Sequence, residues 1–166
     1  MSGVSGRILF VCTGNIFRSL TADVAMRSFL AARRDIRVSS AGTDDYPHVV
    51  PPYIRNYLLL KGFDVRGHQR RTLTAAIMDE SQLAVAMSTD HQAFIKERFG
   101  RAVPLYLEVC GQGAQWLPDI EDVIPDYQTN RAAVEAHVRS TIDRIVELAP
   151  RMAENIDTLM KKYGRS

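Results

Sequence analysis

The chain has 166 residues, 46% of them hydrophobic, and a formal net charge of +2. This length and apolar content support one compact domain, residues 1–166, with a substantial core. So mild a charge, with no long basic run, argues against nucleic acid or a membrane surface as a partner. Two widely separated cysteines, Cys12 and Cys110, make no disulfide framework and fit a reducing, cytoplasmic setting.

The opening residues, Met1-Ser2-Gly3-Val4-Ser5-Gly6, lack a charged stretch before an apolar one. Position 2 is Ser, so the myristoylation signature is missing. The apolar run Ile8-Leu9-Phe10-Val11 is too short for a signal peptide or a membrane helix.

That run makes 7–11 the first expected strand. After a short loop, Ala22, Val24, Ala25, Met26, Phe29 and Leu30 recur at helical spacing, predicting a helix from Ser19 to Arg33. Ile36–Ala41 reads as a second strand closed by Gly42, and strand, helix and strand together make a parallel βαβ unit. Thr43–Pro52 is a loop, and Pro51-Pro52 opens a helix over Tyr53–Lys61 that Gly62 stops. Val65–Arg71 is a polar turn, and Leu73–Met78 a short helix that begins near Thr72 or Thr74. Leu83–Met87 is a third strand, Asp90–Phe99 a helix ended by Gly100, and Val103–Leu107 a fourth strand. Gly111–Tyr127 lacks periodicity and reads as a loop. From Gln128 onward Val134, Val138, Ile142, Ile145 and Leu148 mark a long amphipathic helix, which Pro150 is expected to kink or break. The expected architecture is α/β: one domain with a doubly wound, four-stranded parallel sheet and helices on both faces. Ligands of such sheets bind outside the carboxyl ends of the strands, where Cys12 falls.

The stretch at that point is Val11-Cys12-Thr13-Gly14-Asn15-Ile16-Phe17-Arg18-Ser19. A short loop running into a helix turns successive amide N–H groups inward, and the helix dipole adds partial positive charge. Such a cradle holds an anion and favours the thiolate of Cys12. Arg18 supplies a planar fork of donors for two phosphate oxygens, and the Ser19 hydroxyl is placed to hydrogen-bond the sulfur. Gly14 and Asn15 are the residues that most readily take positive φ. A thiolate beneath an anion cradle is a nucleophile aimed at phosphorus.

Cys12-Thr13-Gly14-Asn15-Ile16-Phe17-Arg18-Ser19, near the N-terminus and after a strand, resembles the phosphate loop of the low-molecular-weight protein tyrosine phosphatase family. The resemblance covers most of the chain. It implies a metal-independent, cofactor-free phosphatase with Cys12 as nucleophile and Arg18 as phosphate clamp. Thr13, Gly14, Asn15, Ile16, Phe17 and Ser19 would complete the phosphate site. Ser39-Ser40-Ala41-Gly42-Thr43 is similar to another family segment. The resemblance places Ser40, with Ser39 as its rival, and His68, together with Ser19, in a network that holds Asn15 in its strained conformation. Tyr46 matches the aromatic that lines the substrate cleft, joined by Tyr127. The general acid matches Asp126 in Ile124-Pro125-Asp126-Tyr127, which lacks the proline expected directly after it; Asp119 and Asp122 are the rivals. Phe17 stands where most relatives have a second loop cysteine, Leu20 replaces an expected proline, and Ser88 replaces a frequent aspartate.

The implied substrate is a phosphotyrosine-containing protein, a tyrosine kinase among the candidates. A phosphoarginine phosphatase is the nearest alternative; its members typically carry threonine after the loop asparagine, where this chain has Ile16. An arsenate reductase would need two cysteines beyond Cys12, and only Cys110 exists. A phosphopeptide-binding pseudophosphatase is the remaining alternative. Histidines 48, 68, 91 and 137 are scattered without metal-ligand spacing, and no nucleotide-binding glycine motif occurs.

Overall fold

The computed structural model describes residues 5–165. Residues 1–4, on which the reading of the leader and of the myristoylation signature falls, and Ser166 lie outside the described residues. The sheet is parallel and has three strands in the order β2-β1-β3: β1 (Gly6–Cys12), β2 (Ile36–Gly42) and β3 (Leu83–Ala86). β1 is central, and its residues alternate in destination as a pleated strand requires. Ile8, Phe10 and Cys12 join one core cluster, while Leu9 and Val11 join the other.

Helices cover both faces. On the first lie α1 (Arg18–Phe29), α7 (Arg131–Glu154) and α8 (Ile156–Tyr163). They bring Ala25, Met26, Ile145, Ala149, Met152 and Ile156 to the sheet. On the second lie α3 (Ala75–Glu80) and α4 (Thr89–Phe99), through Met78 and Ile95. A third cluster packs α2 (Pro52–Leu60) against α1 and α7, with Ile54, Leu58, Leu20, Val134 and Val138 interleaved. No helix among the described residues is long and apolar enough to cross a membrane.

The expected fourth strand is not formed among the described residues. The segment 103–107 runs beside β3 but makes only the single bridge Ala86↔Leu105, with Ala86 N–H donating to Pro104 O at 2.9 Å. Pro104 has no N–H to extend a ladder. The chain then turns into a short helix, α5 (Tyr106–Val109). Tyr106 drives that turn: it is fully buried, donates to Ile145 O at 2.6 Å and meets the Phe10 ring edge-on at 5.9 Å.

Helix limits also differ from expectation. α1 stops at Phe29, because Arg33 leaves the axis to pair with Asp35 at 2.8 Å and Asp157 at 3.0 Å. α3 starts at one of its two expected points, after Thr74, whose hydroxyl accepts from Ile77 N–H at 3.3 Å, but runs on to Glu80. The stretch read as a loop holds a further short helix, α6 (Ile120–Val123), capped by Asp119. α7 begins at Arg131, where the Asn130 side chain caps Ala133 N–H at 3.1 Å. Pro150 does not break α7. Ile145, Leu148, Ala149 and Met152 are buried around it, and that burial outweighs the lost backbone bond. The break comes at Asn155, between α7 and α8.

Candidate active site

Cys12 ends the central strand and Arg18 begins α1, so residues 13–17 span the gap between them. The four carbonyls from Cys12 to Asn15 are each held by a donor from elsewhere. Cys12 O accepts from Thr43 N–H at 2.9 Å and Thr13 O from Asp44 N–H at 3.1 Å. Gly14 O accepts from Arg70 Nε at 3.0 Å, and Asn15 O lies 2.7 Å from His68 Nε2. With the carbonyls engaged outside, the amides face the concave side. None of the N–H groups of Gly14, Asn15, Ile16 or Phe17 donates to a protein acceptor among the described residues. That is the geometry of an anion cradle at a helix N-terminus.

Asn15 is the only non-glycine residue at positive φ among those described, at 56°. Its side chain offsets that cost. Oδ1 accepts from Arg71 N–H at 3.1 Å, and Nδ2 donates to Ser19 Oγ at 3.0 Å. Ser19 Oγ in turn stands 2.9 Å from Cys12 Sγ. Because the hydroxyl oxygen already accepts from the amide, its own proton is free for the sulfur. Both Ser19 and Asn15 are fully buried, and Cys12 is 2% exposed.

Gly14 does not use positive φ. A side chain there would meet His48 Cδ2 and Ile16 Cγ1, each at 3.3 Å, so the constraint is space. Gly42, at the end of β2, matters more: a Cβ would stand 2.5 Å from Thr13 O and 3.2 Å from Asn15 N. The loop needs that close approach, which the sequence signals only as a strand-ending glycine.

The Arg18 side chain is 3% exposed. Its guanidinium donates to Leu117 O at 2.8 Å and to Asp119 Oδ2 at 2.9 Å. A segment a hundred residues downstream therefore aims the arginine. Asp119 Oδ1 also accepts from Ile120 N–H at 2.8 Å, and Asp122 accepts from Asp119 N–H at 2.7 Å. Asp126 is placed differently. It is exposed, in the turn before α7, and accepts from Asn130 Nδ2 at 3.1 Å and 3.4 Å. Among the described residues no hydrogen bond or ion pair joins it to Cys12 or Arg18. Tyr127 beside it is half-buried and packs against the third cluster.

Other expected residues are distributed as follows. The Ser40 hydroxyl does not reach the Asn15 network; it donates to the buried Asp23 at 2.7 Å. Only the Ser40 carbonyl is linked, through Arg71 Nε at 2.9 Å. The Phe17 side chain turns into the third cluster, with the His137 ring at 6.5 Å, so only its main chain belongs to the cradle. Tyr46 is 63% exposed, its ring centroid 4.9 Å from that of His48. His48 donates to Asp44 at 2.9 Å, and this bond with the Tyr46 amide holds the Asp44 carboxyl below the usual range.

Two site residues escape sequence reasoning. Arg70 is bonded to the loop at Gly14 O, and nothing in a polar turn marks it out. His91 is buried at the start of α4, with Nε2 2.9 Å from Thr13 Oγ1. Its Nδ1 accepts from Ser88 N–H at 3.2 Å, so Nε2 carries the proton and donates to Thr13. Burial, aided by the charge of Arg18, pushes His91 down to about 4 and keeps it neutral. Ser88 followed by His91 at capping-box spacing was the available signal. Among the described residues no His, Cys, Asp and Glu side chains cluster as metal ligands do.

A cysteine at the mouth of an amide cradle, on the central strand of a parallel sheet, has the form of a cysteine-dependent phosphatase's phosphate loop. The family model for the low molecular weight phosphotyrosine protein phosphatases matches residues 7–162. The low molecular weight protein-tyrosine-phosphatase Etp of Escherichia coli is 32% identical over 142 residues, 82% of this chain and 87% of Etp. A protein-arginine-phosphatase of Bacillus subtilis is 32% identical over 102 residues, 57% of this chain. That match spans 63% of the relative, less than two thirds of its length. The crystal structure of a YwlE mutant from Bacillus subtilis aligns with a TM-score of 0.76 at 25% identity, over 92% of this chain and 99% of that one. The chain belongs to the low molecular weight phosphotyrosine protein phosphatase family.

Proposed function

We propose that the protein hydrolyses phosphotyrosine in protein substrates through a phosphocysteine intermediate. The observation that carries the reading is the chain from Asn15 Nδ2 through Ser19 Oγ to Cys12 Sγ, at 3.0 Å and 2.9 Å, set beneath unengaged loop amides. The cradle amides and Arg18 hold the equatorial oxygens, and the Cys12 thiolate attacks phosphorus in line. The bond from phosphorus to the phenolic oxygen breaks, and Asp126 gives that oxygen its proton. Asp126 then takes a proton from water as it attacks phosphocysteine, releasing phosphate and the thiolate.

Asp126 is preferred over its rivals because it is not already committed to the loop arginine or to a helix cap. Asp119 accepts from the Arg18 guanidinium and from the Ile120 amide. We assign Asp119 the positioning of Arg18, and Asp122 the cap of α6. Among the described residues Asp126 hydrogen-bonds only within its own turn, to Thr129 and Asn130. His48 stands beside the loop at Gly14 with the Tyr46 ring against it, offering an aromatic surface on which an aryl ester would stack.

A second reading, phosphoarginine hydrolysis by the same nucleophile, is favoured by the arginine-phosphatase relative and by the YwlE likeness. Against it stands Ile16, an apolar side chain directly after the strained Asn15. The deciding experiment compares phosphotyrosine, phosphoarginine and phosphoserine peptides, with Cys12→Ser alongside. Turnover of phosphotyrosine lost in Cys12→Ser is the expected result. Preference for phosphoarginine establishes the second reading, and tight binding without turnover makes the protein a phosphopeptide receptor.

A further inference from the structure

Beside the phosphate loop lies a second cleft, of about 330 Å³, whose walls share Ile16 with the loop. Its polar lining is one-sided: Arg55, Arg66, Arg70, His48 and His68, with Gln69, and no aspartate or glutamate. Val49, Val50 and Val65 supply the rest of the wall, and Val49 is 80% exposed.

The charges differ in how far they are already compensated. Arg66 is paired with Asp64 at 2.6 Å. Arg70 donates only to neutral oxygens, those of Gly14, Asp44 and Thr72, so its charge is held in place without a carboxylate bond. The Arg55 side chain, on the exposed side of α2, has no hydrogen-bond or ion-pair partner among the described residues, its main-chain N–H alone donating, to Pro51 O at 3.0 Å. An uncompensated guanidinium and a rigidly mounted one thus face a cleft whose far wall is the reactive loop. His48 connects the two spaces, because it packs on Gly14 and lines the cleft.

From this arrangement we infer that the cleft is a specificity subsite for a second anionic side chain carried by the same substrate as the reacting phosphoryl group. The inference rests on the phosphatase reading. While the cradle holds the phosphoryl group, a carboxylate or second phosphate nearby in the peptide enters the cleft, with Arg55 and Arg70 as its counter-charges. The valines accommodate the stem of that side chain. The effect is strongest at low ionic strength, because Arg55 is exposed and its attraction is screened by salt.

The test uses the full chain and matched peptides, with either phosphotyrosine or phosphoarginine at the centre. Flanks are Glu, a second phosphorylated residue, Gln or Lys. Para-nitrophenyl phosphate, which has no flanks, is the control. The expected result is a kcat/KM about fivefold higher for each anionic flank than for Gln, and lower again for Lys. Arg55→Gln abolishes that preference, Arg55→Glu reverses it, and both leave para-nitrophenyl phosphate turnover within about twofold. A gain from the second phosphate alone, lost in both variants, assigns the cleft to multiply phosphorylated substrates; a gain from Glu as well assigns it to acidic ones. Equal kcat/KM across the flanks, or a preference that survives Arg55→Glu, overturns the subsite and leaves the phosphatase reading intact. Failure to hydrolyse para-nitrophenyl phosphate or any peptide overturns the phosphatase reading, and the subsite with it.

Discussion

His91 Nε2 stands 2.9 Å from Thr13 Oγ1, tying the start of α4 to the residue that follows the nucleophile. A neutral imidazole is required for both bonds together, since Nδ1 accepts from Ser88 N–H at 3.2 Å while Nε2 donates to Thr13. His91 is held down to about 4 from 6.5, so between those values the unfolded chain binds a proton that the folded one excludes. Stability therefore rises with pH from about 4 to 6.5 and levels off above, by about 3 kcal/mol in all. Urea melts across that range check the slope, and His91→Gln should flatten it.

Cys12→Ser should remove turnover by at least about 10⁴-fold while leaving the cradle able to bind inorganic phosphate. Phosphate titration of the variant, followed by tryptophan or NMR signals, separates lost chemistry from lost folding.

Asp126→Asn and Asp119→Asn should differ in kind. A general acid contributes about 10²–10⁴-fold, and most where the leaving group is poor. Asp126→Asn should thus slow phenyl phosphate far more than an ester of an acidic phenol. Asp119→Asn frees Arg18 and should weaken phosphate binding, raising KM for both esters alike. The same leaving-group dependence in both variants would refute the assignment.

Gly42→Ala should act on the loop from the neighbouring strand. Its Cβ would stand 2.5 Å from Thr13 O, a crowding that costs about 1–3 kcal/mol when the backbone must yield. Activity should fall together with the melting temperature. Asn15→Ala should cost about the same, because φ of 56° then loses its side-chain compensation.

Peroxide should inactivate the protein without forming a bond between its cysteines. Burial pushes the Cys110 thiol up to about 12, which makes it a poor nucleophile toward an oxidised Cys12. Intact mass under non-reducing conditions reads the outcome; loss of two hydrogens with full reductive recovery would refute it.

The strand-loop-helix at Cys12 was legible because each part has a local cause: an apolar run of strand length, loop residues tolerant of unusual φ, and apolar residues at helical spacing. The fourth strand was misread for the same reason, since Val103–Leu107 has strand composition. What decided it was a proline without an N–H and a tyrosine hydroxyl finding Ile145 O across the core. Pro150 misled in the other direction, because a local breaking rule yields to buried neighbours on α7. At the site, Ser40 was read from its segment, but its hydroxyl was claimed by the buried Asp23. His91, Arg70 and the partners of Arg18 were out of reach, because their roles arise from contacts spanning 56 to 101 residues of sequence.

The externally held carbonyls of the cradle have a practical consequence. Their donors sit at Thr43, Asp44, His68 and Arg70, while the arginine is aimed from Leu117 and Asp119. An excised peptide carrying the nine-residue signature would have none of these supports and should bind no oxyanion. In a refolding experiment catalytic competence should return last, after circular dichroism has recovered, so that turnover gauges how much of the chain has reached its final arrangement.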